Sequence, residues 1–139
     1  MKTKQILLTG FTLLEMMIVI AVMGILIALA LRGVGGIVNK AKESSVKSVA
    51  HQLQIAIETY RLDQGMYPSG ALQVETLIDQ LHQYGGLPTT PKNPFTGLAY
   101  QNNDPSGKIL YTSPDAGATY TLSAYGTLNA SRIFEVIGE

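Results

Sequence analysis

The hydrophobic pattern begins with one long apolar stretch near the N-terminus. The 21 residues from Phe11 to Leu31 contain a single charged side chain, Glu15. A helix rises about 1.5 Å per residue, so this stretch would be roughly 31 Å long, close to the apolar thickness of a bilayer. The pattern therefore predicts a membrane-spanning helix over residues 11–31.

Apolar residues return at helical spacing in the next segment. Spacing of i, i+3, i+4 and i+7 predicts an amphipathic continuation of the helix over residues 32–64. Its apolar stripe consists of Val46, Val49, Ala50, Leu53, Ala56, Ile57 and Tyr60. Ile55 and Leu62 lie off this stripe, where they are either a second contact face or scattered surface positions.

Three glycines mark the junction between these two segments. Gly33, Gly35 and Gly36 each weaken a helix by about 1 kcal/mol relative to alanine. The junction is either a soft spot in one long helix or a plain linker, and the immediate return of helical spacing favours the soft spot.

The remaining residues, 65–139, predict a small globular α+β region packed on residues 46–60. A second helix is expected from Ala71 to Tyr84, because apolar residues recur at helical spacing. They are Val74, Leu77, Ile78, Leu81 and Tyr84. Gly85 and Gly86 would end this helix, and three prolines follow.

Beyond the prolines, the sequence predicts an antiparallel meander of short strands separated by turn residues. The expected strands are Leu98–Asn102, Lys108–Thr112, Thr119–Tyr125 and Arg132–Ile137. Tyr120, Leu122 and Ala124 alternate with polar residues, so they should share the buried face of the sheet. The fold class is thus α+β, with a long N-terminal helix packed on a small antiparallel sheet.

Composition narrows the possible functions. Lysine plus arginine equals aspartate plus glutamate, ten of each, so bulk charge gives no case for nucleic acid binding. Lys40, Lys42 and Lys47 are diluted by Glu43 and indicate a solvated helix face or a lipid headgroup contact. The chain has no cysteine, which excludes disulfides, thiolate metal sites and c-type haem attachment.

No catalytic or cofactor site is predicted. His51 and His82 lie on different expected helices among mostly polar neighbours, as surface histidines do. The sequence has no G-x-S-x-G, H-E-x-x-H or phosphate-binding glycine loop. We therefore expect neither an enzyme nor a bound cofactor or metal.

Glu15 is the chemically conspicuous residue, because a charge in the centre of a membrane costs at least ~2.5 kcal/mol. A partner arises if the chain is cut between Gly10 and Phe11. The new α-amino group of Phe11 is positive and lies four residues from Glu15. The amine that pairs with Glu15 could belong to the same chain or to a neighbouring one.

Lys4, a short leader and the run Gly10-Phe11-Thr12-Leu13-Leu14-Glu15 resemble the prepilin signal of type IV pilins and type II secretion pseudopilins. The resemblance implies that a prepilin peptidase removes residues 1–10 and methylates Phe11. It also implies that Glu15 neutralises the amine of a neighbouring subunit during assembly. Two other interpretations are an ordinary membrane anchor and a secretory signal cut after Ala28-Leu29-Ala30.

The segment from Tyr60 to Pro68, with Arg61, Gly65 and Tyr67 within it, resembles the end of the long helix in the major pseudopilin of type II secretion. Three features depart from related proteins. The chain lacks the C-terminal disulfide loop of many pilins, and Arg32 stands where many have proline. Major pseudopilins often bind calcium in a C-terminal loop, but the turns at 102–104 and 115 offer few carboxylates, so no calcium site is expected here.

These resemblances imply a structural subunit of a type IV pilus-like filament, most simply a type II secretion pseudopilus. Its implied partners are further copies of the chain, the prepilin peptidase, an inner-membrane assembly platform and, before assembly, membrane lipid. The chain would first be a single-pass inner-membrane protein and then part of a periplasmic or cell-surface filament. The alternatives are a surface pilin for adhesion, twitching or DNA uptake, and an anchored or secreted binding module that never polymerises.

Overall fold

The computed structural model describes residues 10–31, 33–84 and 86–139. The expected leader, apart from Gly10, lies outside the described residues, as do Arg32 and Gly85. The chain forms two compact units, of which one ends at Ile37 and the other covers Val38–Glu139.

The first unit contains helix α1, Leu13–Leu31. None of its residues is buried, and its large apolar side chains are exposed around the whole circumference. Among the described residues, one helical stretch is long and apolar enough to cross a membrane, and its apolar part is at this N-terminal end. A helix that is apolar on every side requires lipid or other helices around it.

Helix α2, Val34–Gln64, carries the predicted apolar stripe into the core of the second unit. Val46, Ala50, Leu53, Ala56 and Ile57 are fully buried, and Val49 and Tyr60 pack at the edge of the core. The helix ends at Gln64, and the next residue, Gly65, has a φ of 78°, which is readily adopted only without a side chain.

Helix α3, Val74–Gln83, begins three residues later than the sequence predicted. Gly70 forms two backbone hydrogen bonds with Ser113, at 3.0 and 2.9 Å, as an isolated β-bridge. These bonds hold the chain extended just before the helix. Gln73 occupies the N-cap position in an extended conformation, and its side chain makes no hydrogen bond to the helix. The apolar stripe is buried as predicted except for Tyr84, which is 42% exposed and packs edge-to-face on Tyr60.

The sheet has three antiparallel strands in the order β1–β2–β3. They are Ile109–Thr112, Tyr120–Tyr125 and Arg132–Gly138. These confirm three of the four predicted strands, and β2 is central, with Leu122 opposite both Tyr111 and Val136.

The predicted strand at Leu98–Asn102 was wrong. The chain makes only an isolated bridge between Lys92 and Ala99 there. The carboxylate of Asp104 accepts the backbone N–H of Gln101 at 2.9 Å, and the backbone N–H of Asp104 donates to the carbonyl of Gln101 at 3.1 Å. This turn bends the chain where a strand would have had to continue.

The stripe of α2, the inner side of α3 and the inner face of the sheet form one hydrophobic core. Four tyrosines, Tyr67, Tyr100, Tyr111 and Tyr120, are the largest of its fully buried side chains. The packing of a helix on a small antiparallel sheet confirms the α+β, pilin-like fold class.

Candidate assembly site

The first turn of α1 is closed by a reciprocal pair of side chains. The backbone N–H and the hydroxyl of Thr12 both donate to Oε2 of Glu15, at 2.9 and 3.0 Å. The backbone N–H of Glu15 donates in return to Oγ1 of Thr12 at 3.2 Å. This is a capping box, in which a threonine before the helix and a glutamate in its first turn satisfy each other's free donors.

The capping box uses one oxygen of the Glu15 carboxylate. Both bonds from Thr12 end on Oε2, and Oε1 accepts no hydrogen bond from the residues that the structure describes. The carboxylate also lies at the positive end of its own helix, which favours its charged form. The arrangement thus holds a carboxylate at a fixed place on α1 with one oxygen open to a further donor.

Gly10 and Phe11 lie immediately before the capping box, and both are exposed. The side chain of Phe11 is 76% exposed. In the intact chain the nitrogen of Phe11 is a peptide amide, so an ion pair with Glu15 can exist only after cleavage. The structure brings Thr12 and Glu15 together. The role of Thr12 was not predicted from the sequence, although Thr-x-x-Glu is itself a capping signal.

The end of α2 is joined to the sheet by a cluster of charged and aromatic side chains. The hydroxyls of Tyr67 and Tyr120 donate to Glu58, at 3.1 and 3.0 Å. The guanidinium of Arg61 lies 4.7 Å from the centre of the Tyr67 ring and donates to the Tyr67 hydroxyl and to the main-chain carbonyl of Glu139. The Tyr60–Pro68 segment is therefore a structural junction.

The beginning of the globular unit is tied to the β2–β3 connection. The backbone N–H and hydroxyl of Thr127 both donate to Glu43 Oε1 at 3.0 Å. These bonds, the backbone one first, lower the pKa of Glu43. Lys42 Nζ lies 5.5 Å from the centre of the Phe95 ring. The expected solvated helix face is thus wrong at Lys42 and Glu43, which are half-buried.

A buried polar cluster fixes the loops beside the sheet. The side-chain amide of Asn93 donates to Asp104 Oδ2 at 2.8 Å and to the carbonyl of Ser106 at 2.9 Å. Asp104 Oδ2 also receives the Gln101 N–H, so protein donors satisfy this oxygen. Within residues 10–31, 33–84 and 86–139, no group of three or more His, Cys, Asp or Glu side chains is arranged to hold a metal ion.

Comparison with known families gives two matches that together cover most of the chain. Residues 9–31 match the prokaryotic N-terminal methylation motif. Residues 34–132 match the family of type II secretion system protein G.

Individual relatives agree with the family matches. The chain is 34% identical over 135 residues to a type II secretion system core protein G of Klebsiella michiganensis, covering 88% of this chain and 94% of the relative. It is 33% identical over 110 residues to the core protein G of Vibrio cholerae, covering 72% and 73%. It is 36% identical over 119 residues to that of Pseudomonas aeruginosa, covering 79% and 83%. No solved structure gives a significant match.

Proposed function

The chain belongs to the type II secretion system protein G family, and from this premise we propose that it is a structural subunit of a secretion pseudopilus. The observation that carries the proposal is the family match over residues 34–132, directly after a methylation motif over residues 9–31. The core protein G relatives favour this function over a surface pilus and over a module that does not polymerise.

We propose the following organisation for the precursor and the mature subunit. A prepilin peptidase cuts after Gly10 and methylates Phe11, so residues 1–10 are a leader. The exposure of Gly10 and Phe11 supports access by the enzyme. Residues 11–31 span the membrane and later form the filament core, and residues 32–64 continue the helix. Residues 65–139, packed on residues 46–60, form the outer part of the filament.

Assembly is driven by two properties of α1. Apart from Glu15 its side chains are uncharged and mostly apolar, and none of its residues is buried, so a neighbouring helix can replace lipid around them. The Glu15 carboxylate is held by Thr12 through Oε2, and Oε1 accepts no hydrogen bond from the described residues. Oε1 can therefore accept a hydrogen bond from the ammonium group of Phe11 of a second copy. An ion pair of this kind compensates two charges that are each costly in an apolar environment.

The remaining partners follow from the same function. Before assembly the subunit is a single-pass inner-membrane protein in contact with lipid, and an inner-membrane platform extracts it into the filament. After assembly it is periplasmic, in a filament of identical copies. The role is structural, with no catalysis and no cofactor.

N-terminal mass spectrometry of the protein from a strain with its own secretion system tests the processing step. The expected mature chain begins at methylated Phe11 in the natural protein and is absent in a Gly10→Ala variant. Complementation tests the function. The natural chain should restore secreted proteins to the culture supernatant of a strain that lacks it, and Gly10→Ala should not. A mature N-terminus at Leu31, or full secretion by Gly10→Ala, overturns the proposal.

A further inference from the structure

The connection between β2 and β3 presents an apolar side chain on an unfavourable backbone. Leu128 has φ 52° and ψ 20°, and Asn129 has φ 53°. The backbone N–H of Ala130 donates to the carbonyl of Thr127 at 3.2 Å, which closes a four-residue turn. Both central residues of this turn have positive φ, as in a type I′ turn. Glycine or asparagine is preferred at the position of Leu128, because a large side chain there is strained.

The surrounding structure holds this turn in place and leaves the leucine side chain free. The N–H of Leu128 donates to Ser106 Oγ at 2.8 Å, and Thr127 is bound by Glu43. The side-chain amide of Asn129 donates to the carbonyl of Asp104 at 2.9 Å. Three of the four residues of the turn are thus bonded to other segments, while Leu128 remains 76% exposed. A strained residue held by its neighbours suggests a function for that residue.

The same unit has an uncharged groove of a size that accepts such a side chain. It lies between α2 and the loop after α3, has a volume of about 270 Å³, and is lined by Gln52, Ile55, Gly86, Leu87, Pro88 and Thr89. Ile55 is 66% exposed in it. Gly86 fixes the wall of the groove, because a Cβ there would lie 2.9 Å from the carbonyl oxygen of Ala56.

The two features lie on opposite sides of α2. The turn is bonded to Glu43, and Gln52 lines the groove nine residues later, which is roughly two and a half helical turns. A turn and a groove so placed in one copy cannot meet each other. A contact between the turn of one copy and the groove of another would be head-to-tail, and contacts of this kind form rings or open helical filaments instead of two-fold dimers.

The absence of charged side chains on both surfaces is compatible with a contact between copies. Residues 126–131, which contain the turn, and the six residues that line the groove carry no formal charge. Placing one against the other would bury apolar surface and leave no charge without a partner. We propose that Leu128 of one copy inserts into the Gln52–Ile55–Leu87 groove of the next copy in the filament. This inference rests on the proposed function and names a contact outside the apolar helices.

Disulfide trapping tests the contact directly, since the chain has no cysteine of its own. The full chain carrying Leu128→Cys with Gln52→Cys, or Leu128→Cys with Thr89→Cys, is oxidised in membranes of cells with the secretion system. A head-to-tail contact predicts a ladder of covalent oligomers, whereas each single substitution should give no ladder. Leu98→Cys with Gln52→Cys is the matched control, because Leu98 is also an exposed loop leucine, at 66%. It should give no ladder.

A second variant separates assembly from folding. Leu128→Asn relieves the strained backbone, so the thermal midpoint of the full chain in detergent should stay the same or rise. Filament yield, measured by electron microscopy of sheared material, should fall at least threefold. Filaments without a cysteine ladder, or with undiminished yield in Leu128→Asn, overturn this contact and leave the proposed function intact. Absence of filaments and oligomers from the natural chain overturns both.

Discussion

Glu43 and Thr127 lie 84 residues apart in sequence and are joined by two hydrogen bonds of 3.0 Å. The pair connects the beginning of the globular part of α2 to the turn between β2 and β3. Both bonds end on one carboxylate oxygen, and they depend on its negative charge because hydrogen bonds to ionised acceptors are the stronger ones. Gly126 allows this approach, since a Cβ there would lie 2.5 Å from the same oxygen.

This pair predicts an acid-dependent contribution to stability. Hydrogen bonds from Thr127 lower the pKa of Glu43 below its ordinary value of 4.5. When the pKa of an acid is lower in the folded state, its charge stabilises the fold at pH values above the unfolded-state pKa. This contribution is lost as the pH falls through the folded-state pKa. We expect Glu43→Gln to lower the thermal midpoint of the full chain in detergent at pH 7, and the difference from the natural chain to shrink below about pH 4.5.

Glu135→Gln is the control for this experiment. Glu135 is an exposed acid that pairs with Arg132 at the surface of β3. Its removal should change the midpoint little, because exposed ion pairs contribute about 0–1 kcal/mol. A deficit in Glu43→Gln that is equal at pH 3 and pH 7 would contradict the assigned role of the charge.

Two buried tyrosines should respond oppositely to the loss of a hydroxyl. Tyr111 donates to the carbonyl of Pro68 at 2.6 Å, whereas the hydroxyl of Tyr100 has no partner among the described residues. Tyr111→Phe removes this hydrogen bond and leaves the buried carbonyl of Pro68 without its donor. We therefore expect the free energy of unfolding to fall by about 1–2 kcal/mol. Tyr100→Phe removes an unpaired polar group and should be neutral or stabilising by about 1 kcal/mol. Chemical unfolding of the two variants, followed by near-ultraviolet circular dichroism, measures the difference. Equal losses would contradict the assignment.

The buried tyrosines also predict the alkaline limit of the fold. Burial, the largest cause at each residue, raises the pKa of Tyr100, Tyr111 and Tyr120 above the ordinary value of 10. A raised folded-state pKa means that stability is fully present below pH 10 and is lost as pH rises toward the folded-state value. Absorbance from these tyrosinates should therefore appear together with the loss of near-ultraviolet circular dichroism. The chain unfolded in guanidinium is the reference, in which all tyrosines titrate near pH 10. Complete ionisation of all tyrosines before any loss of the circular dichroism signal would contradict this prediction.

Helical spacing predicted the regular elements well, because burial of one apolar stripe determines them. The stripe from Val46 to Tyr60 is the face of α2 that enters the core, and Gly65 ends the helix as expected. The three strands of the sheet were predicted from alternation and turn residues. These features are local, so a sequence window contains most of the information that decides them.

Side-chain bonds between distant segments account for what the sequence did not predict. The segment Leu98–Asn102 has the composition of a strand, but Asp104 and Asn93 bind its backbone into a turn. Helix α3 starts later than predicted because Gly70 pairs with Ser113, more than forty residues away in sequence. Leu128 has a backbone that its own residue type disfavours, and Ser106 and Glu43 impose it through bonds to the turn. At the candidate assembly site, Thr12 was predictable from the Thr-x-x-Glu pattern and was missed.

The last prediction separates the two roles of Glu15, capping its own helix and pairing with an amine. Glu15→Gln keeps an oxygen that can accept the bonds from Thr12 but removes the charge, whereas Glu15→Leu removes both. Thr12→Val removes the hydroxyl and keeps the charge. Losing part of a cap costs about 1 kcal/mol, or roughly fivefold in an equilibrium. An ammonium group left unpaired in the membrane costs at least ~2.5 kcal/mol, so its effect exceeds tenfold.

We therefore expect filament yield per membrane-inserted chain to fall about fivefold in Thr12→Val and more than tenfold in both Glu15→Gln and Glu15→Leu. Insertion should be unchanged, because each substitution leaves the apolar stretch of α1 intact. Mass spectrometry of the mature N-terminus is the control that excludes a processing defect as the cause. If Glu15→Gln assembles as well as the natural chain while Glu15→Leu does not, the carboxylate acts only as a helix cap and the amine of a second copy needs another partner.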